Sequence, residues 1–340
     1  MDSAPAKPPE IPVLVGDSAA MREMKDLIEC YSCCDASVLI EGETGTGKEL
    51  VARQLHYASP RRDKPFVPVN CGALPDTLLE TELFGHRRGA YTDARTSEQG
   101  LVEFASGGTL FLDEVDSLSA RAQTTLLRFL QSGEFRVVGE RTLRTANVRV
   151  LAATNCPLLS AIDQGHFRRD LYYRLGALQL TLPPLRDRGG DVQRLAVHLL
   201  TELTERFGLP PCEWTEQALH ALPRHDWPGN VRELENVTLR ACMRAGDGRI
   251  GLAELALAAK AFSALPSTSP PSTPRAGGDD LLSMAEAKQR AVERFEHDYL
   301  TQLMARTGNN VSRAAAAANT ERRHLGKMLK RHGIGRHCHN

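Results

Sequence analysis

The stretch Gly42-Glu43-Thr44-Gly45-Thr46-Gly47-Lys48 constrains this chain more than any other. It fits the pattern G-x-x-x-x-G-K, a loop whose glycines let successive backbone N–H groups curl around phosphate oxygens while the lysine supplies a point charge. Such a loop has meaning only between a buried strand and the N-terminus of a helix. Both flank it: Ser37-Val38-Leu39-Ile40 reads as the strand, and Leu50, Val51 and Leu55 as the apolar face of the helix. The chain is therefore expected to be α/β, with a parallel sheet and its ligand at the strand ends. Apolar or β-branched runs at Phe66-Val67-Pro68-Val69, Thr109-Leu110-Phe111-Leu112 and Val148-Arg149-Val150-Leu151-Ala152-Ala153 supply further buried strands.

The residue after the lysine is Glu49, where the general motif carries a hydroxyl that ligates magnesium. Metal binding is expected to lean on other groups, and Leu112-Asp113-Glu114 offers two carboxylates at a strand terminus. Asp113 is the candidate magnesium anchor. Glu114 is the candidate base that polarises a water for in-line attack on the γ-phosphate of ATP.

The alternation of strands and helices spans Val13 to about Phe262, and after Pro183-Pro184 it gives way to Val192, Leu195, Ala196, Leu199, Leu200, Leu203 and Phe207, the spacing of an amphipathic helix. We expect an α/β ATPase core at 13–184 and a helical lid at 185–262. Residues 263–280 are rich in Pro, Ser, Thr and Gly and read as a flexible linker. Residues 281–340 read as a small helical domain, with helices at Val311–Ala318 and Glu321–His332. In the last of these Leu325, Met328 and Leu329 should be core, leaving Arg322, Arg323, His324 and Lys327 for DNA bases or phosphates. A charge run is more often a solvated face, and Lys+Arg 42 balance Asp+Glu 42 over the whole chain, so any DNA-binding surface is local. No run of 18 apolar residues occurs and the Pro-rich start lacks the apolar core of a signal peptide, so a soluble, cytoplasmic protein without a membrane partner is expected. The 8 cysteines read as reduced thiols, since Cys30, Cys33 and Cys34 have no second pair to complete a zinc site.

Taken in order, GETGTGKE, ELFGHRRGAYTDA, GGTLFLDE, AATN, FRRDLYYRL, LPPLRDR and WPGNVREL resemble the sigma-54-dependent transcriptional activators over Val13 to Phe262, and GNNVSRAAAAANTERRHLGKMLKRHGI is similar to their Fis-type helix-turn-helix. The resemblance implies an AAA+ ATPase fold with a lid, and it accommodates Glu49, which is common after the lysine in that family. It further implies that Asn70 pairs with Glu114 as a switch, that Asn155 senses the γ-phosphate and that Arg232 contacts nucleotide from the lid. Arg168 and Arg174 match arginine fingers that reach a neighbouring subunit, which implies a homo-oligomeric, hexameric ring. Read without the resemblance, Asn70 and Asn155 could satisfy strand ends, Arg232 could form a lid salt bridge, and an arginine finger could pair with Asp170 or Asp187 instead. The family's sigma-54 contact loop, GAFTGA, corresponds to Gly89-Ala90-Tyr91-Thr92-Asp93-Ala94, in which Asp93 replaces a glycine by a charged residue with a far stiffer backbone. The expected function is a DNA-binding activator that hydrolyses ATP to remodel the sigma-54 RNA polymerase holoenzyme and open the promoter; the alternative, motivated by Asp93, is an AAA+ DNA-binding regulator independent of sigma-54. No receiver or sensor pattern precedes Val13, so control is expected from a regulatory protein in trans, nucleotide state or expression level.

Overall fold

A computed structural model of the chain describes residues 13–73, 75–90, 97–263, 310–317 and 322–332, together with Glu296, Leu300, Leu303, Met304, Thr307 and Thr320. The chain divides into two compact units, Met1–Pro266 and Ser267–Asn340. In the first, the order is α1 (Ala19–Ser32), β1 (Val38–Glu41), α2 (Lys48–Tyr57), β2 (Phe66–Asn70), α3 (Asp76–Phe84), β3 (Gly85–His86), β4 (Glu98–Gln99), α4 (Leu101–Phe104), β5 (Thr109–Asp113), α5 (Ala120–Ser132), β6 (Glu134–Arg136), β7 (Leu143–Thr145), β8 (Arg149–Thr154), α6 (Leu158–Asp163), α7 (Arg169–Leu175) and β9 (Leu178–Thr181). The lid adds α8 (Asp191–Phe207), β10 (Glu213–Trp214), α9 (Glu216–Ala221), α10 (Asn230–Arg244), β11 (Arg249–Ile250) and α11 (Leu252–Ser263).

Five strands form one sheet in the order β2-β5-β8-β1-β9, every neighbouring pair parallel. Side chains alternate across it, as the two-residue period of a strand requires. Leu39, Leu110, Leu112 and Ala152 enter one apolar cluster, shared with Leu79, Leu126 and Leu171 of α3, α5 and α7. Val38, Ile40, Phe111, Leu151 and Ala153 enter the other, shared with Met24 and Ile28 of α1 and Val51 and Leu55 of α2. Burial on both faces is why these strands read as continuous apolar runs, and each buried leucine contributes about 1.5–3 kcal/mol over an exposed one. The sequence reading names four strands; β9 is the addition. Of its residues only Leu180 is buried, so no apolar run announces it.

Register then fixes the site. Glu41 is level with Thr154 across β1 and β8, and Asn70 with Asp113 across β2 and β5. The loop from Gly42, the Asp113-Glu114 pair, Asn70 and Asn155 therefore emerge at the same end of the sheet.

In the lid, Leu195, Leu199, Trp227, Leu234 and Val237 pack α8 and α10 together. The second unit contains helices Val311–Ala317 and Arg322–Arg331, with Leu300, Met304, Ala314, Ala315, Leu325 and Leu329 as its core. Asn310 caps the first of these by accepting from Ser312 N and Arg313 N. Apart from Ser263, the expected linker lies outside the described residues.

Candidate nucleotide site

The loop leaves β1 and re-enters regular structure at Lys48, with Gly47 as the N-cap of α2 at φ 103°. Gly45 is at φ 79°, also left-handed, a region L side chains rarely adopt. The buried Thr46 hydroxyl donates to the Glu43 carbonyl at 2.8 Å and holds the loop closed. Lys48 Nζ donates to the carbonyls of Gly42 (2.7 Å) and Glu43 (3.1 Å) and to Asn155 Oδ1 (2.6 Å). Burial lowers the lysine's pKa, opposed by the carboxylates of Asp113, Asp116 and Glu114. Glu49 is exposed one residue on and accepts from Arg53 Nε and Nη2 (3.0 and 2.7 Å), a turn of helix away.

Asp113 ends β5, and burial raises its carboxyl pKa above the usual aspartate value. Its Oδ1 accepts from Glu114 N at 2.9 Å. Glu114 adopts φ 55°, one of three non-glycine residues with positive φ among those described, and so turns sharply out of the strand. Its Oε1 accepts from Asn155 Nδ2 at 3.5 Å. Asn155 thus connects the loop lysine to the candidate base.

The expected pairing of Glu114 with Asn70 is not the hydrogen bond found. Asn70 Oδ1 accepts from Gly72 N (2.8 Å) and Ala73 N (3.1 Å), capping the turn after β2. A Cβ placed on Gly72 would lie 2.5 Å from Glu114 Oε2 and 3.4 Å from Asn70 Oδ1. The two side chains therefore flank a glycine that leaves room for both.

Among the described residues no three His, Cys, Asp or Glu side chains are arranged to hold a metal ion by themselves. The half-buried Asp113 carboxylate beside Glu114 does suit magnesium, which commonly takes one or two carboxylates and completes its shell with phosphate oxygens and water.

The lid docks directly on the loop. Val231 N and Arg232 N, in the first turn of α10, donate to Gly45 O at 2.9 and 3.3 Å. Arg232 thereby sits over the loop, its side chain exposed and within electrostatic reach of Lys48. Buried Asn230 donates from Nδ2 to Glu43 Oε2 and Thr44 O, both 3.1 Å, and accepts from Leu185 N at 2.8 Å. Arg186 donates to both Glu43 oxygens, at 2.6 and 2.9 Å. Arg188, also buried, donates to Thr46 O at 2.8 Å. Arg186, Arg188 and Asn230 escaped the sequence reading although they stand inside LPPLRDR and WPGNVREL. Two arginines in the turn that joins sheet to lid were the available signal.

A family model described as the Sigma-54 interaction domain matches residues 14–181, and one described as an AAA+ ATPase lid domain matches residues 186–269. The DNA-binding transcriptional regulator NtrC of Bradyrhizobium sp. (strain RP501 Parasponia) is 42% identical over 335 residues, covering 93% of this chain and 69% of that protein. The chain belongs to the sigma-54-dependent transcriptional activators. The sigma54-dependent transcriptional activator SfnR of Pseudomonas putida is 52% identical over 223 residues, covering 66% of this chain and 61% of that protein. A crystal structure of NtrX from Brucella abortus in complex with ATP superposes with a TM-score of 0.68 at 31% identity, covering 95% of this chain and 70% of that one. Across several curated relatives the chain spans about half to two thirds of their length.

The remaining positions expected of a sigma-54-dependent activator divide into three groups. Arg168 and Arg174 are both exposed and both engaged within the chain. Arg168 donates to the Asp170 carboxylate at 3.0 and 2.7 Å, and Arg174 to the carbonyls of Leu130 (2.9 Å) and Gln131 (3.3 Å). Of the contact loop, Gly89 and Ala90 form a turn in which Ala90 N donates to Arg87 O at 3.0 Å, above a base made by β3 pairing antiparallel with β4. Tyr91, Thr92, Asp93 and Ala94 lie outside the described residues. In the second unit Arg322, Arg323, His324 and Lys327 are exposed on one helix whose Leu325 and Leu329 are buried. Among the described residues no helix is long and apolar enough to cross a membrane.

Proposed function

We propose that this activator hydrolyses ATP in a homo-oligomeric ring of six and uses the turnover to remodel sigma-54 RNA polymerase holoenzyme, while its C-terminal helices hold upstream DNA. The observation that carries the hydrolytic reading is the Lys48–Asn155–Glu114 connection at the strand ends.

ATP phosphates would replace the Gly42 and Glu43 carbonyls as the partners of Lys48, and the loop amides would hold the β- and γ-phosphates. Asp113 would hold magnesium, which would supply positive charge to offset that of the β- and γ-phosphates. Glu114 takes a proton from a water whose oxygen bonds the γ-phosphorus as the bond to the β-phosphate oxygen breaks, giving ADP and phosphate. Asn155, drawn from Lys48 as the lysine turns to phosphate, is then available to the γ-phosphate. Arg232 faces the same nucleotide from the lid.

The position of Arg174 supports action between subunits. Its carbonyl accepts from Ser37 Oγ at 2.7 Å, at the start of β1, whereas the phosphate loop follows the end of β1. Four residues of strand, about 13 Å, separate that carbonyl from the loop, farther than an arginine side chain reaches, and in the proposed ring the Arg174 guanidinium would serve a neighbour's nucleotide. Arg168 would do the same once released from Asp170. The loop Gly89–Ala94 is the proposed sigma-54 contact, and Arg322, Arg323, His324 and Lys327 the proposed DNA contacts.

Capture of sigma-54 on the purified protein tests this reading. Glu114→Gln is expected to bind ATP, hydrolyse it at under about one hundredth of the wild-type rate and retain sigma-54 only when ATP is present. Wild-type turnover by Glu114→Gln would remove the assigned base, and failure to retain sigma-54 in any nucleotide state would remove the remodelling target.

A further inference from the structure

Asp116 carries a role that neither the motif reading nor the comparisons assign. It stands two residues beyond Glu114, in the 3-10 turn Val115–Ser117. Its Oδ1 accepts from the hydroxyl of Thr154 at 2.8 Å and from the backbone N–H of Asn155 at 3.4 Å. Thr154 is wholly buried at the end of β8; its hydroxyl lies 3.0 Å from Cys156 O as a second, longer acceptor and accepts from Cys156 N at 3.3 Å. The turn that carries the candidate base is thereby tied to the strand end that carries Asn155, and Asn155 in turn engages both Lys48 and Glu114.

Each neighbouring connection leaves freedom that Asp116 removes. Glu114 leaves β5 through a left-handed residue, so the strand itself does not dictate where its side chain goes. Asn155 is the first residue past β8 and has lost the ladder that fixes Thr154 opposite Glu41. One carboxylate oxygen accepting from both Thr154 and Asn155 sets the backbone of Asn155 relative to the turn behind Glu114. Asp116 also adds negative charge toward Lys48, ahead of Glu114 in its effect on that lysine.

We propose that Asp116 is a positioning residue for hydrolysis: it holds the Asn155 amide between Lys48 and Glu114, where it can bond the γ-phosphate while Glu114 takes the proton of the attacking water. The inference rests on the ATPase reading above. It predicts a defect in turnover rather than in nucleotide binding, because the phosphate loop and the lid contacts do not pass through Asp116.

Steady-state ATPase kinetics on the full chain test it, with wild type measured alongside. Asp116→Ala is expected to lower kcat about tenfold while KM for ATP stays within about threefold. Asp116→Asn keeps an oxygen that accepts from both Thr154 and Asn155, and is expected to restore kcat to within about threefold of wild type. Thr154→Val, which deletes the hydroxyl and preserves the buried shape, is a second disruption and is expected to slow kcat at unchanged KM. Wild-type kcat in both Asp116→Ala and Thr154→Val overturns the proposal, as does an Asp116→Asn enzyme no faster than Asp116→Ala. A wild-type protein that binds ATP without turning it over removes the ATPase reading and this one with it, an outcome distinct from an active wild type with active variants.

Discussion

Glu43 does more than fill a variable position of the phosphate loop. Both its oxygens accept from Arg186, and Oε2 accepts from Asn230 as well, so one side chain joins the loop to the sheet–lid turn and to α10. The Arg186 guanidinium, by its hydrogen bonds, holds the Glu43 carboxyl below its ordinary value of 4.5, against the opposing effect of burial and with a lesser contribution from Asn230. A carboxyl depressed in the folded state contributes stability above its unfolded pKa, and that contribution drains as pH falls through the folded value. Glu43→Gln is therefore expected to melt below wild type at neutral pH, and the difference to close as the pH drops beneath 4.5. Thermal melts of both proteins across an acid series check this, and a constant gap down to the lowest pH would disconnect Glu43 from the ion pair. The pair is partly exposed, so the expected gap is small and shrinks further in high salt.

At the scale of elements, the first turn of α10 and the phosphate loop are packed backbone to backbone. A Cβ on Gly45 would lie 2.4 Å from Gly229 O and 3.1 Å from the Cβ of Arg232, at a backbone angle that already disfavours it. Gly45→Ala is expected to cost roughly 1–3 kcal/mol and to push the lid off the loop, seen as a lower Tm and a smaller upward shift on adding ATP. An unchanged shift would mean that lid docking and nucleotide binding are independent. The same junction shows what could and could not be read from residues alone. The loop and the three inner strands β1, β5 and β8 were legible because a phosphate loop needs its glycines at fixed spacing and a strand buried on both faces is an unbroken apolar run, while the edge strand β2 still shows Val67 and Val69 to the core. β9 was not, since only Leu180 is buried. Arg186, Arg188, Asn230 and Asp116 were missed for another reason: each acts on a segment distant in the chain, as Arg188 does on Thr46, and no local period records such a meeting. That Asn70 caps the turn after β2, beside Glu114 and not bonded to it, was not legible either, because a left-handed Glu114 and a capped turn are features of conformation rather than of spacing.

For the whole molecule the decisive fact is that Arg174 and the phosphate loop lie at opposite ends of β1. Arg174→Ala is expected to assemble and bind ATP yet lose at least about a hundredfold in kcat, and Lys48→Ala to lose ATP binding. Mixed one to one, two such inactive proteins should recover about a quarter of wild-type activity, the share of neighbouring pairs that join an intact lysine to an intact finger in a head-to-tail ring. No recovery on mixing would place Arg174 in its own subunit's chemistry. In the proposed ring such a link has a giving face and a receiving face, with no twofold axis between them, so the unit of work would be the junction and not the subunit. One subunit crippled in both faces would then silence two junctions, and a defective copy of the chain is expected to be more damaging inside a mixed ring than its numbers suggest, behaving in genetic terms as a dominant inhibitor of its intact siblings.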